Sequence, residues 1–313
     1  MPINFVTHHK CASTWLLNYL REFGVLNAMG VLHTHYSHQE IDSAIPVRAY
    51  INAFYPFAAA KLGEGIHVIR NPLDMIVSAY YSHRNTHPFH GWPELAAQRD
   101  ALRVVDLRDG LFLTLTYLER ADFQNGVVGP LFAMRRWNYD DGRFQTLRME
   151  EMVTRPQQAL GPLLLQKFEG AALPPDESFT FEAVTGRRVG EIDDQSHYRS
   201  GRFDQWRDCL PEGIVTYVRS HFRAFLERFY PETLLSKPAS RQRARQALAS
   251  AFHLGVGGTL NSPSPSSTTA SPTLHSHKSR TRRPFSVNSA TSTDTSITSP
   301  IFTGPRKLRV CEI

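Results

Sequence analysis

Cysteine is scarce in this chain: Cys11, Cys209 and Cys311 are its only three in 313 residues. So few, so far apart, exclude a disulfide framework and a cysteine-built zinc site. No apolar run approaches the ~18 residues that a membrane span needs. The Gly-x4-Gly-Lys-Ser/Thr pattern of nucleoside triphosphate loops is also missing. So is an excess of one charge sign over most of the chain. The formal net charge is +6, but residues 261–313 hold seven Lys or Arg against two acids, leaving 28 basic and 27 acidic residues before them. The bulk of the chain therefore lacks the broad basic surface of a nucleic-acid binder.

Beyond residue 260 the composition changes. Of the 40 positions from Asn261 to Pro300, 25 are Ser, Thr or Pro. Such a segment buries too little apolar area to offset its chain entropy. We expect one domain over residues 1–258 and a disordered tail over 259–313. The basic cluster from Lys278 to Arg283 reads as part of that solvated tail.

Two segments repeat one local design, a strand that runs through a polar turn into a helix. In the first, Ile3, Phe5 and Thr7 lead into His8-His9-Lys10-Cys11-Ala12-Ser13-Thr14-Trp15 and an apolar helix. A helix start with free backbone N–H groups is an anion site, and Lys10, Ser13 and Thr14 add a cation and two hydroxyls. In the second, Ile66, Val68 and Ile69 end at Arg70-Asn71-Pro72, followed by Asp74, Ser78, Tyr80 and Tyr81. Pro72 and Asp74 suit a first helical turn, and Ser78 lies about one turn beyond Asp74. Arg70 at the strand end can grip a phosphate through two N–H groups, or pair with Asp74.

The first segment resembles the 5′-phosphosulfate loop of the sulfotransferases, Lys-x-x-Thr/Ser-Thr-Trp. The second is similar to their 3′-phosphate motif, Arg-Asn-Pro-x-Asp-x-x-Val-Ser-x-Tyr-Tyr. Downstream, Tyr198-Arg199-Ser200-Gly201-Arg202-Phe203-Asp204-Gln205-Trp206 resembles the family's Arg-Lys-Gly-x-x-Gly-Asp-Trp loop, with Ser200 in place of the lysine and the second glycine missing. Leu147 to Met152 resembles a further Arg-Tyr-Glu-Asp-Met stretch, with Met149 at the tyrosine.

The resemblance spans residues 1 to about 235. It implies a sulfuryl donor, 3′-phosphoadenosine-5′-phosphosulfate, and a small-molecule or glycan acceptor with a hydroxyl or amine. It implies that Lys10, Cys11, Ala12, Ser13, Thr14, Trp15, Arg70, Ser78, Phe181, Arg199, Ser200 and Gly201 hold the donor, with no metal. Cys11 is either a thiol activated by positive surroundings or a small filler. Trp15 either stacks near the adenine or fills the core. The family's base histidine stands at the end of the strand before the 3′-phosphate motif, which matches His35, with His38 and Glu40 as alternatives. His33 stands at the lysine of that stretch. His8 and His9 are given no role. With no leader or anchor ahead of the first strand, a cytoplasmic enzyme is expected. The competing class is a P-loop-type kinase, which needs the absent glycine pattern and a magnesium-binding acid.

Strands alternating with helices predict an α/β three-layer sandwich around a central parallel sheet, similar to P-loop folds, with ligands at the strands' carboxyl ends. The pattern predicts helices over 14–23 (capped by Gly24), 48–62, 111–121, 131–139, 152–168 and 213–229, and strands near 31–36, 65–69 and 144–149. Residues 87–105 are expected to border the acceptor pocket.

Overall fold

The computed structural model describes residues 2–235, apart from 36–40, 43, 53, 90, 91 and 125. His38, Glu40 and the expected tail lie outside the described residues. Five strands form one sheet: β1 (Ile3–Thr7), β2 (Val31–Thr34), β3 (Val47–Ile51), β4 (Gly65–Ile69) and β5 (Phe144–Arg148). Their order is β2-β3-β1-β4-β5, and every pairing is parallel. Thr7 stands opposite both Ile51 and Val68, so β1, β3 and β4 end on one line. From β1 the chain turns first to one side of the sheet and later to the other. The crevice at this reversal is where open α/β sheets bind ligands.

The first helices are α1 (Ser13–Leu26), α2 (Tyr55–Lys61), α3 (Pro72–Tyr81), α4 (Glu94–Val104), α5 (Leu107–Leu118) and α6 (Pro130–Arg135). They are followed by α7 (Met149–Thr154), α8 (Pro156–Lys167), α9 (Phe181–Thr185) and α10 (Trp206–Cys209). The last are α11 (Glu212–His221), α12 (Arg223–Phe229) and α13 (Pro231–Leu235). One sheet face, with Phe5, Ala49 and Val68, packs on Leu16, Leu20 and Phe23 of α1 and Leu160 and Leu164 of α8. On the other side Val6, Tyr50 and Phe144 meet Trp137 and Ala58. Ile69 joins the helical core of α3, α5 and α11 through Leu73, Leu111 and Ile214. Both faces are covered, so all five residues of β1 and of β3 are buried.

The structure corrects several boundaries: the expected 131–139 helix ends at Arg135, and the 111–121 helix runs over Leu107–Leu118. Residues 48–62 are not one helix: Val47–Ile51 is strand β3, and only Tyr55–Lys61 is helical. A short apolar run fits either period, and insertion between β1 and β2 decides it. Gly24 lies inside α1 rather than after it. A Cβ there would sit 2.6 Å from Val31 Cγ2 and 2.8 Å from the Met29 carbonyl oxygen, so glycine serves close packing on β2. Pro156 divides the expected 152–168 helix, because the residue before a proline avoids helical dihedrals; Arg155 sits at φ −141 and ψ 69. Phe222, at φ −112 and ψ 21, likewise divides the 213–229 helix into α11 and α12.

Candidate functional site

The loop from His8 to Ala12 joins β1 to α1. Lys10 has φ 68 and Ala12 has φ 55, both left-handed and neither glycine. Alternating left-handed residues turn successive N–H groups to one side, which makes an anion-binding concavity. Ala12 caps α1 with no side-chain hydrogen bond, and no acid stands in the first turn. The first backbone bond of the helix is Leu16 N–H to the Ala12 carbonyl, at 2.9 Å. The N–H groups of Ser13, Thr14 and Trp15 therefore have no helical acceptor. Ala12→Gly is expected to stabilise the protein by about 0.5 kcal/mol. It removes left-handed strain of roughly 1–2 kcal/mol and adds unfolded-chain entropy of roughly 0.5–1 kcal/mol. A lower urea midpoint would contradict this.

Two cations meet behind that loop. Arg70 Nη1 donates to the Lys10 carbonyl oxygen at 2.8 Å. Arg70 is 9% exposed, and its buried Nε has no partner. Burial, and then the Arg70 charge, push the Lys10 ammonium down to about 7. Among the described residues Arg70 makes no ion pair, so the pairing with Asp74 that the spacing permitted does not form. Asp74 instead accepts N–H groups from Asp204 at 2.7 Å and Trp206 at 3.2 Å. Its carboxyl is pushed up to about 6, chiefly by burial. Asp74 thereby ties the Arg199–Trp206 loop to the start of α3. Asn71 caps that helix through the Leu73 N–H at 3.0 Å.

Ser78 is half-buried on α3. The Arg199 guanidinium lies 3.7 Å from the ring centre of Tyr81 on the same helix. Arg199 also bonds Asp194 Oδ1 and Gln205 Oε1, each at 2.6 Å. Ser200 is buried. Gly201 has φ 63, and a Cβ there would sit 2.6 Å from the Phe181 ring, so these two residues are in contact. Arg187, which no sequence motif marked, holds this loop. It donates to the carbonyls of Glu191, Arg199 and Tyr198 and to Ser196 Oγ.

Packing bears on two expectations left open. Trp15 is 5% exposed, its indole N–H donates to the Phe179 carbonyl at 2.9 Å, and its ring stacks on Tyr19. It is a core tryptophan. Cys11 is buried and its thiol is pushed up to about 12, mainly by burial, so it is the inert filler. Met149 is buried in the same core as Trp15.

The histidines are arranged differently from expectation. The strand immediately before Arg70's strand is β3, which ends at Ile51 and carries no histidine. His35 follows β2, the sheet's edge strand; its side chain is exposed, and its carbonyl accepts from Asn52 Nδ2 at 3.1 Å. His8 and His9, by contrast, are buried beside the anion loop. His8 Nε2 meets His67 Nε2 at 2.7 Å, and His67 stacks on Trp137. His9 Nε2 meets His83 Nε2 at 2.8 Å. His83 and His87 belong to a π-helical turn, Ser82–Thr86, and its C-cap. Such turns have no sequence signature and recur at functional sites.

No family model matches this sequence, and no curated protein does. Solved structures similar to it include mouse sulfotransferase SULT7A1 complexed with PAP, at 13% identity and TM-score 0.48, covering 74% of this chain and 86% of that one. Another is retinol dehydratase in complex with androsterone and inactive cofactor PAP, at 10% identity and TM-score 0.43, covering 71% and 80%. A third is retinol dehydratase with retinol and PAP, at 10% identity and TM-score 0.41, with the same coverage. One cavity of about 430 Å³ lies elsewhere, lined by Arg108, Phe112, Leu210 and Pro211, and neither Lys10 nor Arg70 borders it.

Proposed function

We propose that this chain moves a sulfuryl group from 3′-phosphoadenosine-5′-phosphosulfate to an acceptor hydroxyl or amine. The observation that carries the reading is the pairing of Lys10 with Arg70 beside a helix start whose Ser13, Thr14 and Trp15 N–H groups have no helical acceptor and whose first turn holds no acid. A buried ammonium that a neighbouring guanidinium pushes down is stabilised by an anion. The unpartnered Arg70 Nε gives the same indication. A kinase would need a free acid for magnesium. Of the acids whose charge reaches this site, Asp74 is committed to two backbone N–H groups. Glu150 is committed to the Asn71 N–H and the Tyr230 hydroxyl.

The donor supplies an activated sulfur–oxygen bond. The residues around it have positional work. Ser13, Thr14 and the helix start hold the 5′-phosphate. Lys10 meets the charge that grows on the leaving oxygen. Arg70, Ser78 and Arg199 grip the 3′-phosphate, and Ser200, Gly201 and Phe181 close the loop above it. No described helix is long and apolar enough to cross a membrane. We assign the reaction to residues 1–258 and leave 259–313 outside it.

Isothermal titration of the purified chain tests the nucleotide. Adenosine 3′,5′-bisphosphate is expected to bind without magnesium and at least about tenfold more tightly than AMP or ATP. Each charge-assisted phosphate contact is worth roughly 1.5–3 kcal/mol. Equal affinity for AMP would overturn the proposal.

A further inference from the structure

Sulfuryl transfer, the reading on which this inference rests, requires the acceptor to lose a proton to some group. Four histidines stand within electrostatic reach of Lys10: His9, His83, His87 and His197. They are not equivalent: His197 is exposed and, among the described residues, its ring meets only Tyr198, edge-on, so nothing boxes it in place. His9 and His83 commit their Nε2 atoms to each other, and Gln98 Nε2 lies 3.1 Å from His83 Nδ1. A Gln98 amide that donates to His83 Nδ1 makes His83 the Nε2–H tautomer, which then donates to His9. Both rings are thus occupied as well as buried.

His87 is only half-buried. No hydrogen bond among the described residues takes its Nε2, and its Nδ1 is buried without a partner. The ring is boxed by His9 at 4.9 Å, Trp92 at 5.4 Å and His83 at 5.7 Å between ring centres. Its backbone is pinned on both sides. Its N–H donates to the Ser82 carbonyl at 2.7 Å. Arg99, buried on α4, donates to the His83 carbonyl at 2.7 Å and the His87 carbonyl at 2.5 Å, with its guanidinium 4.1 Å from the centre of Phe89. Packing, not a hydrogen bond, holds the ring: neither nitrogen has a partner among the described residues, Nδ1 is buried and Nε2 is not, so Nε2 is the nitrogen open to the attacking group near the cation of the leaving group.

We propose that His87, rather than His35, takes the proton of the acceptor hydroxyl through Nε2. The hydroxyl O–H bond breaks and its proton passes to Nε2. The oxygen's electron pair forms the new bond to sulfur. The bond from sulfur to the 5′-phosphate oxygen breaks, and its pair stays on that oxygen, where Lys10 meets it. The imidazolium then returns its proton to water. Burial first, and Lys10 next, push His87 down to about 3, so the ring holds a free lone pair at neutral pH. An anion against Lys10 cancels the second cause. His87 therefore becomes a better base when the donor is loaded. His35 is the last and weakest of the charges acting on His87.

The test compares two acceptor series of similar shape and different acidity, benzyl alcohols and 4-nitrophenols, on the full chain. His87→Gln and His87→Asn are the variants, and adenosine 3′,5′-bisphosphate affinity reports an intact donor site. Expected is a loss of about 100-fold or more in kcat with benzyl alcohols and under about tenfold with the already acidic 4-nitrophenols, at unchanged bisphosphate affinity. Equal losses with both series overturn the assignment. So does an acidity-dependent loss in His35→Ala that the His87 variants lack. Wild-type chain that sulfates no member of either series overturns the transfer reading, and the assignment with it.

Discussion

Lys10→Ala is expected to lower sulfuryl turnover by about 100-fold or more while weakening adenosine 3′,5′-bisphosphate only modestly. On the proposed reading the loss is large because Lys10 acts on charge that exists fully only as the leaving oxygen departs, and such contacts typically carry about that factor. Binding survives because Arg70, Ser78, Arg199 and the α1 N-terminus keep their places. Arg70 is anchored by the Lys10 carbonyl, which alanine retains. The substitution also removes the Arg70–Lys10 repulsion, which offsets part of the lost attraction. Unlike the His87 variants, Lys10→Ala should lose similar factors with acidic and non-acidic acceptors. Turnover within tenfold of wild type in a folded Lys10→Ala protein would remove Lys10 from the chemistry.

Mild acid should destabilise the fold steeply. His9, His67 and His83 are all buried, and burial is the first cause that lowers each well below the ordinary 6.5. In the folded chain they stay neutral; in the unfolded chain they take protons near pH 6.5. Their contribution is therefore whole above pH 6.5 and is lost as pH falls below it. Each neutral group removes about 1.4 kcal/mol per pH unit, so three remove about 4. Asp74 opposes them. Its carboxyl, raised to about 6, costs stability above that pH and returns it as pH falls toward 4. The net expectation from pH 6.5 to 5 is a loss of stability, because these three histidines, joined by His87 at about 3, outnumber the single opposing Asp74. Thermal melts from pH 7.5 to 5 measure it, and an unchanged melting temperature would show that the histidines are not held neutral.

The two strand–turn–helix segments are legible in the sequence because several local signals coincide there. Buried parallel strands give unbroken apolar runs, and Asn71 and Pro72 cap α3 as their residue types suggest. β3 is not legible. Its five residues follow Pro46 and precede α2 with only Asn52 as a turn signal, at φ 61, so strand and helix run together. Overlooking β3 also makes β2, with His35, count as the strand before Arg70's strand, although β3 stands between them in the chain. His83 and His87 escape for another reason. They come within electrostatic reach of Lys10 through a π-helical turn and through helix packing, neither of which leaves a periodic trace. Arg187 is similar: a basic residue in a polar loop, whose carbonyl partners exist only once the loop is folded.

The loop that carries Lys10 achieves its shape without glycine. Glycine at positions 10 and 12 would let the free chain sample many backbone states, and each anion that arrived would have to quench them. Lys10 and Ala12 have fewer states to lose. Their left-handed strain is met once, when β1 and α1 pack, and the N–H groups are then aimed before any ligand comes. On the proposed reading, donor capture is thereby shifted toward enthalpy, with the ordering cost moved out of the catalytic cycle and into folding.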